Sequence, residues 1–207
     1  SFAETRLTNN PFSRGNPDLE HELVKTWNLI WIAMWHSTSV NLSGFVSRYE
    51  DPIITGLDDI GARTYINSSD QHSSGTSLDI KHQVGEDWLM RFSYTQLTDL
   101  PDSAFAEADQ LAAYILNYHK ADWNWNVSFN YQGEREYLRT ASQRDRINST
   151  WLANSQLSYQ ISTDTRIKIA IKNIMDENYA SSPQGAGISG GIPNRGREWS
   201  LGVDWRW

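Results

Sequence analysis

Arg135, Tyr137, Arg139, Arg144 and Arg146 crowd one short segment and carry the most evident chemistry in the chain. Guanidinium groups present a rigid fork of donors that matches anionic oxygens, and a tyrosine ring beside them adds a face for cation–π contact. The chemistry expected of such a cluster is capture of an anionic ligand. The same side chains also suit pairing with membrane-surface phosphates or with carboxylates of their own segment, and spacing alone does not separate these uses.

Other candidate constellations carry less. Gly185-Ala186-Gly187-Ile188-Ser189-Gly190 fits the G-x-G-x-x-G pattern, with Asp204 further along, but that motif must follow a strand and open a helix. Here Pro193 and a period-two segment come next, so a glycine-rich loop is expected. His21, His36, His72, His82 and His119 lie on different segments with no i, i+4 pair. The acidic groups Asp58, Asp59 and Asp70, and Asp99, Asp102, Glu107 and Asp109, match no calcium-loop spacing and read as solvated loop charge. No G-x-S-x-G elbow is present. No enzyme, metal site or resident cofactor is expected.

The elements that would position the arginine cluster follow from composition and periodicity. Hydrophobic residues make up 39% of the 207, yet tryptophans outnumber phenylalanines ten to six. Amphipathic rings in that proportion suit a wet boundary. Mean hydropathy is -0.59, and the longest apolar run, Leu29 to Trp35, is far short of the ~20 residues of a spanning helix. A membrane β-barrel escapes that test, because each strand gives only half its side chains to lipid. There is no cysteine, so no disulfide framework or thiolate zinc site is available, and the net charge of -7 disfavours nucleic acid. Ser1-Phe2-Ala3-Glu4 lacks the basic start and apolar stretch of a signal peptide, so a processed or internal start is expected.

Alternation at period two is the clearest pattern. In the last segment Trp199, Leu201, Val203, Trp205 and Trp207 fall on one side, and Glu198, Ser200, Gly202, Asp204 and Arg206 on the other. Trp123, Trp125, Val127, Phe129 and Tyr131 oppose Asn124, Asn126, Ser128, Asn130 and Gln132 in the same way. Trp88, Met90, Phe92 and Tyr94, then Trp27, Leu29, Trp31, Ala33 and Trp35, then Trp151, Ala153, Ser155, Leu157 and Tyr159 repeat the design. Aromatics at both strand ends with aliphatics between are what two headgroup levels around an apolar band require.

Nine strands are predicted, roughly at 23–34, 38–50, 72–84, 88–97, 110–120, 123–134, 149–161, 165–173 and 197–207. Short connections at Trp35–Ser37, Gly85–Asp87, Ala121–Asp122 and Ser162–Asp164 alternate with long ones at Asp51–Asp70, Thr98–Asp109, Arg135–Arg146 and Ile174–Arg195. Single-chain bacterial barrels have even strand counts, so nine strands point to part of a larger, closed wall. The expected fold is all-β: an antiparallel transmembrane barrel, open in this chain, with outer-membrane lipid against its tryptophan-rich side.

Three segments carry a family resemblance. Asn16-Pro17-Asp18-Leu19, followed by Glu20 and Glu22, resembles the NPDLKPE box of TonB-dependent receptors, with Glu20-His21-Glu22 departing from Lys-Pro-Glu. Asn173, Asp176 and Tyr179 stand in a segment similar to the family's NLFDE-Y, and Pro193, Gly196 and Arg197 in one similar to its P-x-x-G-R. Trp207 stands where the family ends in an aromatic residue. The resemblance implies a barrel of about 22 strands with a plug in the lumen. Residues 1–207 would then be the C-terminal part of that barrel, with plug and earlier strands elsewhere. It further implies TonB-powered import of a ferric siderophore or similar small ligand across the bacterial outer membrane, the TonB complex acting through the missing N-terminal part. Val203, Trp205 and Trp207 would serve as the signal for the barrel-assembly machinery.

Two other readings make distinct demands. A soluble tryptophan-rich all-β module binding carbohydrate needs a second layer that buries the aromatics. A small self-contained barrel needs 23–34 to pair with 197–207.

Overall fold

The computed structural model describes residues 14–57, 61, 63–101, 104, 106–140, 143–182 and 189–206. In chain order its strands are β1 (Leu23–Trp35), β2 (Thr38–Glu50), β3 (Ile53–Leu57), β4 (Arg63–Asn67), β5 (Gln71–Val84), β6 (Trp88–Asp99), β7 (Gln110–Lys120), β8 (Trp123–Gln132), β9 (Arg135–Thr140), β10 (Gln143–Ile147), β11 (Thr150–Ser162), β12 (Thr165–Lys172), β13 (Ala180–Ser181), β14 (Ile192–Pro193) and β15 (Glu198–Trp205). Nine of them form one antiparallel sheet in the order β1-β2-β5-β6-β7-β8-β11-β12-β15. These are the nine strands expected from alternation, with ends within about two residues of the described boundaries.

Register carries the side-chain pattern across the sheet without a slip of face. Trp31 opposes Leu42, Leu42 opposes Leu78, and Leu78 opposes Tyr94. On the other face Asn41 opposes Asp79, Asp79 opposes Ser93, and Ala113 opposes Asn130. Because the pleat has period two, one residue of slip would exchange the faces of a whole strand. The sheet's two register shifts, between Ser74 and Gly75 and between Gln160 and Ser162, are tolerated since each lies at an end of its strand pairing, β5–β6 and β11–β12. At the first, a Cβ on Gly75 would come within 2.8 Å of the Gln96 carbonyl oxygen, so the close approach needs glycine.

The aromatic face is uncovered. Trp27 is 81% exposed, Leu201 75% and Trp205 66%. The buried apolar residues among those described are Ala108, Tyr137, Ile147 and Ala153, none of which covers that face with a second layer. A soluble sandwich of this size would have to bury its large apolar side chains, so the carbohydrate-module reading loses its structural basis. Ring pairs instead tie neighbouring strands side by side: Trp123 with Tyr159 and Trp88 with Tyr118, each at 4.5 Å, and Tyr131 with Trp151 at 4.6 Å. Ser155, a hydroxyl on this apolar face, accepts a hydrogen bond from the Trp125 indole at 2.8 Å, which satisfies both polar groups away from water.

The opposite face is mainly polar, with apolar side chains such as Leu111, Ile115 and Leu152 among its hydroxyls, amides and charges. Ser43 meets Ser77 at 2.6 Å, Thr26 meets Ser47 at 2.8 Å, the Arg166 guanidinium donates to Gln160 at 2.8 Å, and Lys168 pairs with Asp204. β1 departs from this division. Its second face carries Ile30, Ile32 and Met34, all exposed, so this strand is apolar on both sides.

β1 and β15 are the two edges of the sheet and do not pair with each other. The small closed barrel therefore fails its own requirement.

Three of the four long connections are not irregular loops, as the sequence suggests, but hold two-stranded ribbons: β3–β4, β9–β10 and β13–β14. Their strands are two to six residues long and their patterning is mixed with charge, so they carry little periodic signal. Their backbone groups still need partners, and a ribbon supplies them.

Candidate functional site

The β9–β10 ribbon holds the arginine cluster, and its pleat divides it. Arg146 opposes Glu136 and Asp145 opposes Tyr137. One face, with Arg135, Tyr137 and Ile147, is buried; the other, with Arg144 and Arg146, is exposed. The five residues that look continuous in sequence therefore occupy two environments.

On the exposed face the cations are balanced by carboxylates of their own segment, one of the uses the sequence leaves open. Arg146 lies 2.9 Å from Glu134 and 3.8 Å from Glu136, and Arg144 lies 3.3 Å from Glu136. Exposed pairs of this kind are worth roughly 0–1 kcal/mol each, so they exchange readily for an incoming anion. Arg139 is also exposed, close enough to Asp145 to act on its charge.

Tyr137 is 0% exposed, so its ring is not available to a ligand. Its hydroxyl donates to Asp145 at 2.9 Å and accepts from the Gly190 amide at 2.6 Å, joining the ribbon to the segment that follows β12. The Arg146 amide, and then the Tyr137 hydroxyl, hold the Asp145 carboxyl below its ordinary range. A carboxyl depressed in the folded state contributes stability that is complete above its unfolded value and lost as pH falls through the lowered one. Acidification through that window is expected to make the ribbon more susceptible to limited proteolysis, and Asp145→Asn to be equally susceptible already at neutral pH. An acid-independent cleavage rate would remove Asp145 from the clamp.

Arg135 is 8% exposed. Its Nη2 donates to the Ala180 carbonyl at 2.8 Å, while Nη1 is buried with no hydrogen-bond partner among the described residues. Burial pulls this guanidinium below the usual arginine value, against a weaker opposing pull from Glu107.

The motif residues build corners. Asn173 sits at φ 50 and is 4% exposed. Its amide NH2 donates to the Glu177 carbonyl and its side-chain oxygen accepts from the Glu177 amide, both at 2.9 Å. Asp176 accepts from the Arg197 amide at 2.8 Å, and a Cβ on Gly196 would come within 2.8 Å of the same carboxylate oxygen. Asn194 of the segment beside Pro193 donates its amide to the Tyr179 carbonyl at 2.9 Å. One corner thus fastens the last long connection to β15. Near the other end of the sheet, the Asn16 side chain accepts from the Asp18 amide and donates to the Tyr65 carbonyl, each at 3.0 Å, which turns Pro17-Asp18-Leu19 along the β3–β4 ribbon. Glu20 and Asn67 exchange two further bonds there.

Trp207, Asp58, Asp59, Asp102 and the glycine-rich residues 185–188 lie outside the described residues. Val203 and Trp205 lie on the exposed aromatic face of β15. Among the described residues no group of three metal-ligating side chains converges.

A sheet with an uncovered aromatic face, a polar opposite face, tight turns at one end and ribbons at the other defines the wall of a membrane-spanning β-barrel. The chain belongs to the TonB-dependent receptor-like β-barrel family, whose family model matches residues 1–174. Members of this family are proteins of the bacterial outer membrane and act as transport receptors rather than enzymes.

Solved structures share the fold. The ferric enterobactin receptor PfeA of Pseudomonas aeruginosa, in a mutant form, superposes with a TM-score of 0.77 at 14% identity, over 93% of this chain and 32% of its own. The siderophore receptor PirA of Acinetobacter baumannii gives 0.76 at 17%, over 93% and 33%. The copper transporter OprC gives 0.71 at 16%, over 91% and 32%. The chain thus spans about a third of the length of these receptors, and at such identities the likeness is one of fold.

Proposed function

We propose that the chain forms the C-terminal part of the barrel of an outer-membrane receptor that imports ferric siderophore complexes. In this reading residues 1–207 belong to a wall of about 22 strands, as in plugged outer-membrane transporters. The plug and the segment that engages the TonB complex lie in the rest of the receptor. The observation that carries the reading is the uncovered aromatic face. Its rings and aliphatics are stable in lipid, and the β9–β10 ribbon then stands at the extracellular mouth, where long connections belong. Two neighbours of the same fold are described as siderophore receptors, which supports an iron chelate as cargo.

Arg139, Arg144 and Arg146 make the first contact with an anionic chelate, which displaces Glu134 and Glu136 from the arginines. Val203, Trp205 and Trp207 present the signal to the barrel-assembly machinery. In the intact receptor, changing Arg139, Arg144 and Arg146 together to glutamate is expected to weaken ferric siderophore binding at least about tenfold, equivalent to ~1.4 kcal/mol. Unchanged affinity by calorimetry would sink the ribbon as a ligand surface.

A further inference from the structure

Behind the ribbon, on the polar face of the sheet, lies a cavity of about 450 Å³. Thr95, Asn130, Gln132 and Thr150 contribute to its wall from β6, β8 and β11, Tyr179 and Ser181 from the last long connection, and Arg135 from the start of β9. Among the described lining residues Arg135 alone carries a charge, in a chain whose net charge is -7. Its polar neighbours there are hydroxyls and carboxamides, which can donate to an anion, set beside the apolar side chains of Leu111, Ala113 and Leu152.

The guanidinium itself is incompletely satisfied. Nη2 is engaged by Ala180, between Tyr179 and Ser181, and Nη1 has no partner among the described residues. Glu107 acts on it electrostatically, yet no ion pair joins the two. An arginine keeps its proton under any ordinary condition, so the site holds a fixed, buried positive charge. A buried charge with no direct ion pair is costly, and a carboxylate in the cavity offsets that cost through the charge Arg135 places at its wall.

We propose that this cavity is a binding site for a carboxylate group, with Arg135 as its counter-ion and the hydroxyls of Thr95, Thr150, Tyr179 and Ser181 as neutral partners. The inference rests on the proposed function only in taking the carboxylate as part of the imported cargo. It narrows that cargo to chelates bearing a free carboxylate. It also places the decisive cation on the buried face of the ribbon, away from Arg144 and Arg146.

The test uses the intact receptor and benzoate as a planar monocarboxylate probe, with citrate-chelated iron and a neutral ferric trihydroxamate as cargo probes, all followed by calorimetry. Benzoate is expected to bind saturably, at least about tenfold more weakly to Arg135→Gln, with partial retention in Arg135→Lys and no change in Lys120→Gln, an exposed cation paired with Asp87 at the β7–β8 turn. Ferric citrate is expected to compete with benzoate, and the trihydroxamate to bind without regard to Arg135. The Arg135→Lys and Arg135→Gln proteins are compared by thermal unfolding, since a collapsed ribbon would weaken every probe alike. If ferric chelates bind but benzoate does not, or binds equally to Arg135→Gln, the carboxylate site is overturned while the receptor reading stands. Equal loss of the trihydroxamate and ferric citrate in Arg135→Gln overturns it too, by reducing Arg135 to a structural role. Arginine-dependent benzoate binding with no ferric chelate bound supports the site and removes iron chelates as the cargo.

Discussion

Leu201→Arg in the intact receptor is expected to destabilise the folded barrel by about 2–4 kcal/mol in lipid, the cost of an unpaired cation near the centre of the apolar band. Leu201 lies between Trp199 and Trp205 on β15 and opposes Ile169 of β12, so the new guanidinium would stand among rings and aliphatics with no carboxylate on its own face nearby. Ser200→Arg, one residue away, places the same group on the polar face, where its neighbour across the pair is Ala170 and water is available. That change is expected to cost no more than about 1 kcal/mol, in line with a surface substitution. Reversible folding into phospholipid vesicles, followed by tryptophan emission, measures both. Equal costs at the two sites would mean that the aromatic face does not meet lipid.

Asn173→Ala is expected to cost about 3 kcal/mol. The side chain makes two hydrogen bonds to Glu177, each worth roughly 1 kcal/mol when buried, and the positive φ adds about 1–2 kcal/mol for a residue with a Cβ and no local polar compensation. Asn173 also fixes where β12 ends, because its own amide donates to the Asn154 side chain at 3.0 Å and the next amide, of Ile174, donates to Ala153 at 2.8 Å. Asn173→Gly keeps the backbone conformation without strain, so it should lose only the side-chain bonds, about 2 kcal/mol. Chemical denaturation of the intact receptor gives the two values. A larger loss for glycine than for alanine would show that the left-handed conformation is not what the position demands.

These two positions differ in how much of their role the amino-acid sequence shows. Alternation alone assigns Leu201 its face, since a strand with lipid on one side and water on the other must repeat every second residue. Asn173 is visible in the sequence only as one letter of a family segment, with no role. Its role appears when the chain turns back and Asp176 meets Arg197, a contact across 21 residues. The NPDL segment is the same case: Asn16 reaches Tyr65 across 49 residues, a partner that no local pattern announces.

The arginine cluster shows the limit most directly. Its composition points to anion chemistry, but an irregular loop, which is what its sequence suggests, would leave all five side chains in one environment. Once β9 pairs with β10, Arg135 and Tyr137 turn inward while Arg144 and Arg146 turn outward against Glu134 and Glu136. Tyr137, expected to offer its ring to a ligand, instead spends its hydroxyl on Asp145 and on Gly190, 53 residues away.

The amino-acid sequence by itself determined the nine strands, their two faces, the tight turns and the family, because these depend on neighbours one to four residues apart and on the solvent each face meets. Only the tertiary structure decided that three of the long connections form ribbons, and that a single arginine lines a cavity of otherwise uncharged described residues. Those features are set by hydrogen bonds and close contacts between segments far apart in the chain. Such pairings leave no periodic trace in either partner.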